Sequence, residues 1–204
     1  LVRKKGQWFE RGVVWDETAS GFAWEDRSTH LRPPLEIEGP HDYLTEIHAQ
    51  GEAFVQTLAE RLTRGAAFFI DYGFGESEYY HPQRSAGTLM CHYRHQAHAD
   101  PFYLPGLQDV TVHVDFTAII ATAHASGLDL LGYTSQGQFL LNCGILQALE
   151  QLPAASPAYF RAAGAVGKLT MPHEMGELFK VMALGRGIDQ HLLGFTRGDQ
   201  SHRL

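Results

Sequence analysis

Residues 67–75 read AFFIDYGFG, and this stretch decides the fold that the sequence predicts. The apolar residues before Asp71 show no polar alternation, which is typical of a β-strand covered on both faces, as in a parallel sheet. The strand, predicted over 66–72, stops at a carboxylate, a phenol and two glycines. Ligands of open α/β sheets gather at the carboxyl ends of strands. We therefore expect Asp71 and Tyr72 to leave the core where a ligand can reach them.

Predicted helices and strands alternate on both sides of this stretch, which indicates an α/β sheet with helices on its faces. Upstream, a helix is predicted over 43–64, closed by a C-cap at Gly65. Its inward face is predicted to hold Phe54, Val55, Leu58, Ala59 and Leu62. The other predicted elements are strands at 88–93, 110–114, 128–133 and 178–184, helices at 116–126, 136–152 and 156–167, and two or three short strands within 7–25. We predict one α/β domain over 1–204, in which 73–114 is an inserted region.

The composition excludes several classes of protein. Of the 204 residues, 44% are hydrophobic, which suits a packed core rather than a disordered chain. The net charge of -7 argues against a nucleic-acid partner, because binding phosphates requires a basic face. No stretch approaches the roughly 20 apolar residues that cross a bilayer, so no membrane partner is expected. Two cysteines in separate contexts, Cys91 and Cys143, indicate a reducing compartment.

Five motifs follow one another in a recognisable order. They are IDYG (70–73), GTLMCHYRHQAH (87–98), QDVTVHVDF (108–116), SQGQFLLNCGI (135–145) and LFKVMALGRG (178–187). In this order they resemble the MidA-like family of class I S-adenosylmethionine-dependent methyltransferases. That family includes mitochondrial members linked to arginine methylation during the assembly of respiratory complex I. The resemblance covers nearly the whole chain and rests on the order of the motifs, since no single motif is diagnostic.

The resemblance implies a fold, a cofactor, a substrate and a compartment. The fold would be the C-terminal portion of a Rossmann-like class I methyltransferase sheet, with inserted strands and loops. The cofactor would be S-adenosylmethionine, and the substrate a protein arginine nitrogen. In that family the glycine-rich cofactor loop, the acidic ribose-binding residue and the NE-containing motif precede this region, so the resemblance implies that they lie upstream of Leu1. GFGESE (73–78) does not resemble such a loop, because it lacks the third glycine and the apolar helix. The compartment would be a bacterial cytoplasm or the mitochondrial matrix.

The candidate catalytic residues follow from the chemistry of methyl transfer to a guanidinium. Carboxylates match the planar fork of a guanidinium, so Asp71, Asp109 and Asp115 are candidates. Asp115 is better explained as the N-cap of the helix that follows it. Tyr72 could stack on the target, and His95 or His113 could carry a proton. Alternatively, Asp71 could have the purely structural role of capping the loop that follows it, and His95 could be a hydrogen-bond partner that anchors a loop. The predicted site is therefore formed by Asp71, Tyr72, His95, Asp109 and His113, with no metal.

Two alternatives belong to other classes of function. His113, Asp115 and His173 resemble the two-histidine, one-carboxylate set of non-haem iron oxygenases, which bound iron would reveal. A non-catalytic scaffold could use Trp8, Trp15 and Trp24, provided that all three rings lie on one exposed patch. In addition, a sheet without its central strands would expose an apolar edge that could pair with a second copy as a homodimer.

Overall fold

The chain folds into two compact units, each built from two segments. The computed structural model describes residues 1–154 and 156–204. Unit 1 comprises Leu1–His48 and Glu76–His113, and unit 2 comprises Ala49–Gly75 and Val114–Leu204. The region predicted as an insertion, 73–114, thus overlaps the second segment of unit 1, while the assignment of the whole chain to one domain stays a prediction. Within the described ranges, no helix combines the length and the apolar character that crossing a bilayer requires.

The elements are numbered in chain order. The strands are β1 (Val2–Lys4), β2 (Gln7–Asp16), β3 (Gly21–Ser28), β4 (Tyr43–Leu44), β5 (Gly65–Phe74), β6 (Met90–Tyr93), β7 (Gln96–His98), β8 (Asp109–Thr111), β9 (Val114–Asp115), β10 (Asp129–Ser135) and β11 (Phe179–Arg186). The helices are α1 (Ala49–Arg61), α2 (Glu76–Tyr79), α3 (Phe116–Ala125), α4 (Gln136–Asn142), α5 (Ile145–Glu150), α6 (Pro157–Thr170) and α7 (Met175–Leu178), followed by 3-10 turns at Leu193–Phe195 and Ser201–Arg203.

The sheet of unit 2 has the strand order β10-β11-β5-β9. The central strand β11 is antiparallel to both β10 and β5, and only the short pairing of β5 with β9 is parallel. The α/β class is confirmed, whereas the expectation of a parallel environment for β5 is wrong. Strand β10 and strand β5 consequently run in the same direction and end at the same rim of the sheet.

Side chains from alternate positions of β11 enter two different cores. Met182 and Leu184 join a cluster with α1 and α3, which includes Val55, Phe116 and Leu128. The alternate residues of β11 pack on the other side with Phe195 and Phe139. This alternation is the period-two pattern of a strand, and the two cores explain why β11 is the most buried strand of the unit.

Strand β5, in contrast, is not covered on both faces as predicted. Phe68 and Ile70 are 49% and 54% exposed, on the face opposite to Phe69, which packs against the α1–α3 core. Among the described strands, none pairs with Gly65–Asp71 on the side away from β11, because β9 reaches only Gly73 and Phe74. Unit 2 therefore has an apolar strand with one open face and one open edge.

The predicted helices are partly confirmed. The helix predicted over 43–64 is shorter, because 43–44 form β4 and α1 begins at Ala49; Phe54, predicted to face inward, is 60% exposed. Gly65 is the first residue of β5 rather than a C-cap. The helix predicted over 136–152 is two helices, since Gly144 has a φ of 84° in the left-handed region and breaks the helical path.

The predicted N-caps have the expected geometry. The carboxylate of Asp115 accepts hydrogen bonds from the backbone N–H groups of Thr117 and Ala118, at 3.0 and 3.2 Å. The Ser156 hydroxyl accepts from Tyr159 N at 3.1 Å, with Pro157 in the first turn. Both caps satisfy backbone donors that a helix start leaves unpaired.

Arg186, the last residue of β11, joins the ends of α1 and α3. Its guanidinium donates to the carbonyl oxygens of Ala59, Leu62, Ser126 and Gly127 at 2.9–3.0 Å. The carbonyl oxygens at a helix end have no partner within the helix, and a cation there also complements the helix dipole. One side chain thereby fixes two helix ends against the sheet.

Unit 1 contains two small antiparallel sheets, with strand orders β3-β2-β1-β4 and β7-β6-β8. The buried Arg3 orders the long loop after β3 by donating to the carbonyl oxygens of Ile37, Gly39 and His41 at 2.7–3.1 Å. The strand predicted over 110–114 is split between β8 and β9, which belong to different units.

Candidate functional site

Asp71 and Tyr72 lie near the carboxyl end of β5, at the rim where β10 also ends. The strand does not stop at 72 as predicted but continues to Phe74, because Gly73 and Phe74 pair with β9. Tyr72 pairs with Phe179 across the strands, and the two rings lie 4.1 Å apart at an angle of 35°. Asp71 is exposed, and its Oδ1 atom accepts a hydrogen bond from Tyr72 N at 2.8 Å. Consecutive strand residues point to opposite faces, so the Asp71 carboxylate and the Tyr72 phenol lie on opposite sides of the strand.

The cation closest in register to Asp71 is engaged elsewhere. Lys180 lies directly opposite Asp71 on β11. Its ammonium group is largely buried and donates to the carbonyl oxygen of Glu177 at 2.8 Å and to the Glu177 carboxylate at 2.5 Å. Within the described part of the chain, no ion pair reaches the Asp71 carboxylate within 4.0 Å. The rim of unit 2 thus carries a carboxylate that is available to a cationic ligand.

The glycines after Asp71 serve the fold. A Cβ atom on Gly73 would lie 2.2 Å from the carbonyl oxygen of Val114, so only glycine lets β9 approach β5. Gly75 is similarly confined by the carbonyl oxygen of Arg203 at 3.1 Å. The next residues form the one-turn helix α2, with Glu76 and Glu78 in its first turn. The sequence predicts that 73–78 is not the cofactor loop of a nucleotide-like ligand, and this stays a prediction.

Unit 1 holds a polar network around Glu46, which the sequence did not single out. Its carboxylate accepts hydrogen bonds from Thr88 N at 3.1 Å and from Thr88 Oγ1 at 3.0 Å. Thr88 Oγ1 in turn accepts from His113 N at 3.0 Å. The Tyr79 hydroxyl lies 3.4 Å from Glu46 and 3.2 Å from the carbonyl oxygen of His113. The network fixes His113 through its backbone and thereby connects three of the chain's separated segments.

The remaining predicted residues lie in the β6–β7–β8 sheet of unit 1. His95 and Arg94 form the two-residue turn between β6 and β7, with φ angles of 64° and 49°. Asp109 is exposed and pairs across the strands with His92. The structure therefore joins Asp71 with Tyr72 in unit 2, while His95, Asp109 and His113 belong to unit 1, where His95 and Asp109 are exposed.

A cavity of about 490 Å³ opens beside the Glu46 network. A Cβ atom on Gly87, one of its lining residues, would lie 2.5 Å from Glu46 Oε1. Its lining contains charged groups of both signs, since Arg84 Nη2 lies 3.7 Å from the Glu78 carboxylate. None of the five predicted site residues lines it; the lining consists of Glu78, His81, Gln83, Arg84, Ser85, Ala86 and Gly87.

Neither alternative function meets its structural condition in the described residues. In the described ranges, no group of three or more His, Cys, Asp or Glu side chains could hold a metal ion, so the iron triad of His113, Asp115 and His173 is not assembled. Of the three tryptophans of the scaffold hypothesis, Trp15 and Trp24 are exposed, whereas Trp8 lies against Tyr43 with ring centroids 6.4 Å apart. The condition that all three share one exposed patch is not met.

Comparisons with known proteins identify relatives of this chain. Two solved structures from Burkholderia thailandensis are each 51% identical to it over its full length. One is described as a likely methyl transferase and was solved with bound S-adenosyl-homocysteine; its TM-score is 0.93. The other is an uncharacterized protein of the same superfamily as the first, with a TM-score of 0.91. This chain spans 54% and 56% of their lengths, and so about half of each. No curated protein matches.

A family model matches residues 1–134, which include both β5 and the Glu46 network. Its description is "Putative S-adenosyl-L-methionine-dependent methyltransferase". The match covers well over half of the chain, and the similarity to the Burkholderia structures extends over all of it. The chain therefore belongs to this family of S-adenosyl-L-methionine-dependent methyltransferases.

Proposed function

We propose that the protein transfers a methyl group from S-adenosylmethionine to an arginine nitrogen of another protein. Support for the methyl donor comes from the family and from the Burkholderia relative, which was solved with S-adenosyl-homocysteine. Because this chain spans about half of that relative, the activity is proposed for the protein at the relative's length. The MidA-like branch of the family and its arginine substrate are supported by the order of the five motifs.

The exposed Asp71 carboxylate, which has no ion-pair partner among the described residues, is the observation that carries this proposal. A guanidinium is planar and always protonated at neutral pH, so methyl transfer needs a carboxylate to orient it and a base to accept the proton that the nitrogen loses as the methyl group is added. We assign both tasks to Asp71. The Tyr72–Phe179 ring pair lies on the opposite face of the strand from this carboxylate, so we assign the guanidinium contact to Asp71 alone.

S-adenosylmethionine supplies the methyl group, whose bond to sulfur breaks as the acceptor nitrogen bonds to its carbon. The described chain does not form a cofactor loop at 73–78, because Gly73 packs against the backbone of Val114. We accordingly assign its residues to the acceptor side of the reaction. His95, Asp109 and His113 remain proposed members of the site, with His113 held in place by Thr88.

The test compares Asp71→Asn with Asp129→Asn in the protein extended to the length of its relatives. Asp129 is an equally exposed aspartate at the amino end of β10, on the opposite rim of the sheet. Tritiated S-adenosylmethionine is added to an extract from cells that lack the gene, and methylarginine is measured after acid hydrolysis. We expect Asp71→Asn to lower turnover by roughly 100-fold or more, and Asp129→Asn to leave it unchanged.

Both substitutions alter exposed side chains, so the free energy of unfolding should change by less than about 0.5 kcal/mol. Unchanged turnover in Asp71→Asn would remove this residue from the mechanism. Label found only in methyllysine, or released as volatile methanol from carboxyl esters, would retain a methyltransferase but reject arginine as its target.

We also propose that the protein works in a reducing compartment, either a bacterial cytoplasm or the mitochondrial matrix. Its cysteines are both free thiols, and burial raises the pKa of Cys91, which keeps that thiol protonated and unreactive. The predicted homodimer is likewise proposed, on the basis of the open edge of β5.

A further inference from the structure

One face of the β2–β3 hairpin is an exposed cluster of rings. Val13 pairs with Trp24 across the strands and Trp15 pairs with Phe22, so all four side chains point to the same side. They are 52%, 43%, 54% and 46% exposed, respectively. With Phe102, which packs on them, we call these residues the aromatic face.

The rings of the aromatic face are held in place by one another. Ring centroids lie 5.4 Å apart for Trp15 and Phe22, 4.9 Å for Trp24 and Phe102, and 6.3 Å for Phe22 and Phe102. Exposed apolar patches of this kind mark interaction sites on monomeric proteins. Tryptophan is also enriched among the residues that dominate binding energy, because a ring fixed in advance loses little conformational entropy.

The same face already binds a guanidinium from its own chain. The Arg11 guanidinium carbon lies 5.8 Å from the centre of the Trp24 ring, and Asp26 holds it there through two hydrogen bonds of 2.8 and 3.1 Å. Trp24 thus already holds a flat cation, and Trp15, one pair further along and 54% exposed, offers a second ring to an external one. The chain therefore shows on itself the contact that an external arginine would make.

The charge of unit 1 favours a basic ligand. Unit 1 contains 13 acidic and 8 basic residues, so it carries most of the chain's negative charge. Two of the acidic residues follow Trp15 at the hairpin turn, the half-buried Asp16 and the exposed Glu17. Carboxylates beside aromatic rings attract a guanidinium by charge while the ring faces bind it by cation–π interaction.

We propose that the aromatic face is a docking surface for an arginine-bearing segment of a partner polypeptide. The inference rests on the proposed function in one respect, because it takes that polypeptide to be the methylation substrate. Docking at this face needs no cofactor and no turnover. It can therefore be measured separately from methyl transfer.

The experiment measures binding of fluorescein-labelled (Arg-Gly)6 peptide to the 204-residue chain by fluorescence anisotropy at physiological salt. The comparison peptides are (Lys-Gly)6, which has the same charge, and (citrulline-Gly)6, which has nearly the same shape without charge. We expect the arginine peptide to bind more tightly than both, because a guanidinium stacks on rings and an ammonium is more strongly hydrated. The double variant Trp15→Leu/Trp24→Leu should bind it at least about fivefold more weakly, since leucine retains apolar area but has no π face.

The control variant is Phe160→Leu, which replaces an equally exposed ring on α6 and should leave binding unchanged. Melting curves identify any variant that is not folded. If the double variant is not folded, the single variant Trp15→Leu takes its place in the comparison. Equal affinity for the arginine and citrulline peptides, or full binding by the double variant, overturns the proposal. Self-association that the double variant abolishes, without peptide binding, would overturn it in favour of a second copy. Peptide binding without methylarginine formation would keep the docking surface and reject the proposed function.

Discussion

Arg94 and His95 adopt a backbone conformation that their side chains disfavour. Both have positive φ angles, in the two-residue turn that links Tyr93 to its partner Gln96. Turns of this length suit the twist of a hairpin, and they normally contain Asn and Gly because these tolerate positive φ. Each of the two residues costs about 1–2 kcal/mol in this region. Such strain is frequent at functional sites, and it therefore supports the role proposed for His95.

We predict that His95→Gly stabilises the chain while it lowers turnover. Glycine relieves the positive φ but loses more entropy on folding, so the net gain should be of the order of 1 kcal/mol. The free energy of unfolding is measured by urea denaturation, and turnover by the methylarginine assay. Gln96→Gly is the control, since its position is extended in β7 and glycine there should destabilise. A stabilised variant with full turnover would show that His95 serves only the turn.

At the level of single residues, roles that depend on sequence neighbours could be predicted, whereas contacts with distant residues could not. The capping role of Asp115 follows from the residues next to it, and the structure confirms it. Glu46 was missed because its partner Thr88 lies 42 residues away along the chain. The available signal was a carboxylate in the short connection between β4 and α1. The position of Asp71 at a strand end was predictable, but the engagement of Lys180 by Glu177 was not.

Among the elements, the β1–β2–β3 sheet depends on a carboxylate that lies between two cations. Asp26 pairs with Arg11 at 2.8 Å and with Lys4 at 2.5 Å. Hydrogen bonding from the Arg11 guanidinium, followed by that from Lys4, lowers the pKa of Asp26 from its usual 3.8 to about 2. The ionised carboxylate is thus part of what holds the three strands together.

We predict that this sheet loses stability in acid because of Asp26. A group whose pKa is depressed by folding contributes stability that is fully present above its unfolded pKa and is lost as the pH falls through its folded pKa. The loss attributable to Asp26 should therefore occur between pH 3.8 and about 2. Amide hydrogen exchange of β2 and β3 across this range would measure it. In Asp26→Asn the exchange rates of these strands should be raised at neutral pH and should depend less on acid; an unchanged acid dependence would contradict the assignment.

Element types were predictable where local pattern decides them, and element partners were not. The apolar run of β5 predicts a strand correctly, because its residues favour one. Whether that strand is parallel to its neighbours depends on β11, more than 100 residues later in the chain. The break between α4 and α5 depends on one glycine with positive φ, which a helical periodicity does not reveal. Phe54 fits the helical pattern but is exposed, since the pattern does not state how wide the covered stripe is.

For the whole molecule, the main feature is a sheet that is complete on one side only. On the β11 side β5 is paired along its full length, whereas on the other side only its last two residues are paired in the described structure. The open edge coincides with the exposed side chains of Phe68 and Ile70. Natural proteins usually protect such edges with charges, bulges or covering segments. An uncovered apolar edge is a template for another strand.

We predict that the 204-residue chain forms a dimer through this edge at micromolar concentration. Two antiparallel copies of β5 would pair their free backbone groups and bury Phe68 and Ile70 from both chains. Because these side chains are 49% and 54% exposed, each adds at most about half of the roughly 1.5–3 kcal/mol that full burial contributes. Sedimentation equilibrium should give twice the monomer mass of 22.7 kDa. Phe68→Lys/Ile70→Lys should be monomeric, because the charges repel across the new pairing, while Phe160→Lys on α6, which removes an equally exposed ring, should remain a dimer. A monomeric wild-type chain would contradict the prediction, and a dimer that survives the double substitution would place the contact on another surface.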